Sequence, residues 1–170
     1  MVVVAILGLV LSVTLTGSRS LLPQTRLAGS ASAMAAGLEL ARSHALLRQE
    51  PVVFAYDLDA DTWEAWHPYL RDERGQATGP GRTPVIDPRP LEPGISFRRV
   101  RLPGSVPRDG GVVALDISPL GRVVPHEVVL ENPEYPETEV LTVRVSGLAN
   151  RSLVLEGDVV MAPLQDVDFR

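Results

Sequence analysis

Three aspartates at alternate positions, Asp57, Asp59 and Asp61, have the spacing with which a calcium-binding loop begins. Such a loop also needs glycine at its sixth position for the sharp turn and glutamate at its twelfth for bidentate ligation. Counted from Asp57, those positions hold Thr62 and Pro68, so the run reads as a hairpin turn. The histidines are His44, His67 and His126. None stands at H-x-x-x-H spacing from another ligand, and surface or helix-capping roles are expected for each. There is no cysteine, which removes thiol nucleophiles, zinc–thiolate centres and disulfides. Neither a G-x-S-x-G elbow, a P-loop nor a G-x-G-x-x-G turn occurs, and no order of Ser, His and Asp picks out a triad. The residues therefore predict no enzyme, no metal, no cofactor and no small-molecule substrate. The acidic run Glu131, Glu134, Glu137 and Glu139 reads first as a solvated connection between strands. Its functional alternative is a docking surface for a neighbouring subunit, facing the stretch Arg98-Arg99-Val100-Arg101.

The charge pattern narrows the partners. All 16 basic residues are arginine, spread from Arg19 to Arg170, and the net charge is −5. Sequence-independent nucleic-acid binding needs clustered positive charge, so nucleic acid is not an expected partner. With 45% hydrophobic and 22% charged residues, most of the chain is expected to fold around a core.

The elements that position these groups begin with Met1–Thr16, MVVVAILGLVLSVTLT, which contains no charge. At 1.5 Å per residue a helix of this length spans about 24 Å, against the ~30 Å of a hydrocarbon core. A signal peptide needs a basic segment before its apolar run. A buried helix of a soluble domain seldom lacks every ionisable group. The run reads best as a membrane span whose beginning is missing, made of Val2, Val3, Val4, Ala5, Ile6, Leu7, Gly8, Leu9, Val10, Leu11, Val13 and Leu15. Pro23 should bend or weaken the helix locally. Beyond it, Leu27, Ala31, Met34, Leu38, Ala41 and Ala45 recur at spacings of four and three, one face of a helix to be packed on a sheet. Ser30, Ser32, Gly37 and Ser43 mostly fall off that face. Glu39, Arg42, Arg48, Gln49 and Glu50 form its polar side, and Pro51 ends it.

From residue 52 the period changes to two. Strands are expected over 52–58 and 62–66, joined across Asp59-Ala60-Asp61, then over 95–102, 112–117, 123–130, 140–145 and 152–155. Ser118-Pro119-Leu120-Gly121 is a tight turn, and the last two strands form a hairpin across 147–151. Residues 67–93 carry six prolines and three glycines and are expected to have no regular structure. The organisation is thus α+β. A helix over 1–50, half membrane and half amphipathic, packs on an antiparallel β-rich head over 51–158, followed by a loose tail over 159–170.

The run VVVAILGLVLSVTL, the stretch Ala35-Ala36-Gly37-Leu38-Glu39-Leu40-Ala41-Arg42-Ser43-His44-Ala45-Leu46, and Pro51-Val52-Val53-Phe54 together resemble the type IV pilin-like proteins. Within them they resemble the minor pseudopilins of the GspH/FimT type. ARSHALLRQEPVVF is the most specific part, and beyond the first third of the chain the resemblance is one of architecture. It implies a pilin-like fold, a single-pass anchor in the inner membrane and a periplasmic head. It also implies assembly with other pseudopilin subunits of a type II secretion system, with no turnover. Family members carry a basic leader and a G-F-T-L-x-E-L segment before the apolar run, including the Phe that is methylated after cleavage and a buried Glu. Those residues are not in this sequence, so the chain is expected to start at an internal Met, the alternative being a diverged, unprocessed relative. The alternatives are a minor pilin of a type IV pilus and a secreted β-sandwich binding module. A role in DNA uptake fits poorly with the acidic balance of residues 165–170.

Overall fold

The computed structural model describes residues 21–146 and 152–160. Helix α1 (Leu21–Arg48) is followed by β1 (Val52–Asp57), β2 (Thr62–Arg71), β3 (Ala77–Pro90), β4 (Ser96–Arg101), β5 (Val112–Ile117), β6 (His126–Glu131), β7 (Val140–Val145) and β8 (Ser152–Glu156). The strands form two four-stranded sheets, ordered β3-β2-β1-β5 and β4-β6-β7-β8, and every pairing is antiparallel. The run 2–15 and the tail from residue 161 lie outside the described residues. Among the described residues no helix is long and apolar enough to cross a membrane.

One core joins the helix to both sheets. Leu27, Ala31, Met34, Leu38, Ala41 and Ala45 are each at most 2% exposed. They share a cluster with Phe54 and Tyr56 of β1, Leu115 and Ile117 of β5, Val128 and Leu130 of β6, and Val143 of β7. The period of two in β1 sends Val52, Phe54 and Tyr56 to this core, while Val53 and Ala55 join Trp66 in a small cluster on the other face. The Arg82 guanidinium of β3 stands 4.0 Å above the Trp66 ring and closes that cluster. At its C-terminus α1 stops on Gln49, whose φ of 53° is left-handed, and the Glu50 N–H reaches back to the Ala45 carbonyl at 3.1 Å. This is a Schellman-type cap, with Pro51 just beyond it.

Several expectations are corrected. Residues 67–93 are not a structureless connection, since β2 continues to Arg71 and β3 fills Ala77–Pro90. Proline is tolerated there because β3 is an edge strand and its pairing is bulged. Fourteen residues of β3 face ten of β2, with four register shifts. The turn at Ser118 is closed by the Gly121 N–H to the Ser118 carbonyl at 2.8 Å. That is the expected tight turn, and it leads from one sheet to the other, because β5 and β6 belong to different sheets. Strand β6 starts at His126 rather than residue 123, just after Pro125, which lacks a donor.

Candidate functional site at the helix–sandwich interface

The polar groups of the sequence are mostly consumed by the fold. Asp57 Oδ1 accepts the N–H groups of Asp59 and Ala60 at 3.1 and 3.0 Å. Asp59 Oδ1 accepts that of Gly111 at 3.0 Å, and Asp61 Oδ1 that of Phe97 at 2.8 Å. Asp57 thus closes a local Asx turn, while Asp59 and Asp61 tie the hairpin to backbone segments far away in sequence. Among the described residues no group of three His, Asp or Glu side chains is placed to hold a metal ion.

Histidine placement differs from expectation. His67 and His126 are buried rather than on the surface. The His126 Nδ1–H donates to the Val124 carbonyl at 2.7 Å, which leaves Nε2 to accept from the Tyr56 hydroxyl at 2.9 Å. This pair bridges the two sheets at the centre of the core. Burial pushes the His126 imidazole down to about 4, against a smaller upward pull from the Val124 carbonyl, and the Arg42 cation lowers it further. Burial likewise pushes the Tyr56 phenol well above its usual range. Both groups are neutral, so the bridge is a hydrogen bond between uncharged partners.

Arg42 was expected on the polar side of the helix but is 1% exposed. Its Nη2 donates to the Ser146 carbonyl at 2.5 Å and its Nη1 lies 3.4 Å from Glu39 Oε1. The same Glu39 oxygen accepts from the Ser152 hydroxyl of β8 at 3.1 Å. Ser30 is also buried, its Oγ accepting the Glu92 N–H at 2.9 Å. The helix is therefore pinned by hydrogen bonds along its length as well as by apolar packing. Gly37 is buried too, and a Cβ there would stand 2.3 Å from the Trp63 ring. Only glycine lets the helix approach β2 this closely.

A second polar group closes the C-terminal end of α1. The His67 Nδ1–H donates to the Pro51 carbonyl at 2.9 Å, its Nε2 lies 3.9 Å from Glu50, and its ring centroid is 5.1 Å from that of His44. Arg71 pairs with Glu50. The Tyr69 hydroxyl hydrogen-bonds Glu50 and, with Arg71 and His67, holds its carboxyl below the usual range. Burial, and then the neighbouring His67, lowers His44. On the outer face of the second sheet, Glu127 is 2% exposed and is held by Arg144 at 3.0 Å and Arg101 at 3.5 Å. Two members of the acidic run are likewise engaged internally, Glu131 at the end of β6 and Glu139, which accepts from Asn132 Nδ2 at 2.8 Å. Arg98 pairs with Glu131 at 3.3 Å and donates to the Pro136 carbonyl at 2.9 Å.

These arrangements position elements. What they build is a helix locked into a two-sheet head. The family model of the type II transport protein GspH matches residues 30–149, which is 120 of the 170 residues. The chain belongs to the GspH family. It is a GspH-type pseudopilin, and that family is structural rather than catalytic. The fold is similar to two structures of the minor pseudopilin EpsH from the type II secretion system of Vibrio cholerae. One has 15% identity over 74% of this chain and 93% of that chain with a TM-score of 0.52. The other has 14% identity over 78% and 97% with a TM-score of 0.54. No curated protein sequence matches this chain. The family match runs from the buried Ser30 through β7, so it takes in the helix–sheet interface described above.

Proposed function

We propose that this GspH-family chain works as a minor pseudopilin of a type II secretion pseudopilus, acting by assembly and not by turnover. The single observation that carries this reading is the family match over residues 30–149. In this reading the apolar run Val2–Leu15 holds the subunit in the inner membrane before assembly and packs with other pseudopilins afterwards. Small residues, Ala5 and Gly8, permit close approach of neighbouring helices. The head stays in the periplasm. A helix fixed to both sheets by core packing and by the Arg42, Glu39 and Ser30 hydrogen bonds transmits the position of the membrane half to the head. The test is export. Deleting the gene should leave the exoproteins of the system in the periplasm, and the full-length chain should restore their release. Unchanged export in the deletion strain would overturn the reading.

A further inference from the structure

The outer face of the second sheet is covered by the chain's own continuation. Cross-strand pairing sets Arg99, Val129, Thr142 and Leu155 in one row across the sheet, and Arg101, Glu127, Arg144 and Leu153 in another. Val128, Leu130 and Val143 belong to the core, so these two rows point away from it. An outward face ordinarily meets water, yet Val129 and Thr142 are 0% and Glu127 2% exposed. After β8 the chain reverses at Gly157, whose φ of 80° is left-handed and whose N–H donates to the Val140 carbonyl at 2.8 Å. Residues 157–160 then lie back over β7 as a strap.

The fastenings of the strap are polar. The Thr142 hydroxyl donates to the Gly157 carbonyl at 2.7 Å and accepts the Val159 N–H at 3.0 Å. Arg101 reaches over from β4, donates to the Val159 carbonyl at 3.2 Å and pairs with Asp158. Val160 is 64% exposed and Val159 is only half-buried, so no deep apolar anchor reinforces these bonds. A segment fastened this way opens locally, at a lower free energy than the head unfolds. Opening changes the charge of the face. With the strap closed, Arg101 and Arg144 are balanced by Glu127 and Asp158. With it open, one cation is in excess. Arg99 adds a second, since it enters no ion pair among the described residues and its Nε is buried without a hydrogen-bond partner there. The uncovered face thus offers a hydroxyl that reads a backbone carbonyl and an N–H two residues apart, beside surplus arginine. Charge complementarity selects an extended segment that carries carboxylates.

We propose that residues 157–160 are a releasable, autoinhibitory strap over a docking face for an extended acidic segment of a partner protein, which enters by taking the strap's place. Asp158 stands where the partner's carboxylate goes. Thr142 and Arg101 serve strap and partner alike. The device belongs to the head and does not depend on what the apolar run packs against.

The probe is a labelled peptide with the strap's own sequence over 155–160, LEGDVV, added to the detergent-solubilised full-length chain and followed by fluorescence anisotropy. Asp158→Arg sets a second cation against Arg101 and opens the strap without altering the face beneath it. This variant should bind the peptide at least about tenfold more tightly than the wild type, whose closed fraction lowers its apparent affinity. Replacing the peptide's aspartate by asparagine should cancel the gain. Adding Thr142→Val to the variant should cancel it too; the change keeps the side chain's shape, and an unaltered melting curve shows that the head stays folded. In the wild type, hydrogen exchange at the Val159 amide should proceed by local opening and ignore low urea concentrations. Equal peptide binding by variant and wild type, binding that survives loss of the peptide's carboxylate, or no binding by either would overturn the docking face. Exchange at Val159 only through global unfolding would overturn the strap.

Discussion

Lowering the pH from 7 to 4 should strip stability from the head through His126. Its imidazole falls from 6.5 to about 4 on folding, chiefly because burial disfavours the cation. A histidine whose folded value is depressed binds fewer protons folded than unfolded. Its contribution is therefore fully present above the unfolded value of 6.5 and is lost as pH falls towards about 4. The full difference of some 2.5 units corresponds to about 3–4 kcal/mol at ~1.4 kcal/mol per unit, of which about 3 is lost by pH 4, where the folded imidazole is half protonated. That is a large share of the roughly 5–15 kcal/mol that holds a small domain folded. Both tryptophans, Trp63 and Trp66, lie on β2, so their fluorescence during urea unfolding of the detergent-solubilised chain reports the head. His44 is also lowered and loses stability over an overlapping range. Glu50 is lowered from 4.5, so its contribution is present above 4.5 and fades only below it. The comparison that isolates His126 is therefore with His126→Gln, which keeps a hydrogen-bonding group for the Tyr56 hydroxyl but does not titrate. The wild type should lose about 3 kcal/mol more than the variant between pH 7 and 4. Parallel curves for the two proteins would refute the reasoning.

Gly37→Ala should destabilise the head by about 1–3 kcal/mol in thermal unfolding, although alanine is the better helix former by about 1 kcal/mol, because the new Cβ falls 2.3 Å from the Trp63 ring; a raised melting temperature would contradict this. Leu38→Asp places an unpaired carboxylate at a position 1% exposed, which costs several kcal/mol, and circular dichroism should show loss of the cooperative melt. Ala5→Leu should leave the head's melting curve unchanged and impair export, because added bulk keeps neighbouring membrane helices apart; full restoration of export would reduce the apolar run to a simple anchor.

What the sequence disclosed followed the range of the interactions involved. The hairpin of β1 and β2 was legible because alternation, a turn of three acidic and small residues, and a second alternating run lie within 20 positions of one another. Strand β3 was not legible, because proline and glycine argue locally against a strand. What permits it is its place at a sheet edge and its bulged register, both of which are tertiary facts. Arg42 looked like a surface residue by type. Its burial depends on a carbonyl at Ser146, 104 residues away. His126 depends in the same way on Tyr56, 70 residues away.

The proposed function requires that this chain pack against other pseudopilins through its apolar run. The direct measurement is photo-crosslinking in cells from a probe placed at Ala5 of the full-length chain, with adducts identified by mass spectrometry while export is running. Adducts with other pseudopilins, lost when assembly is blocked, are the predicted result. A probe that reaches only lipid, in cells whose export depends on this chain, would contradict it.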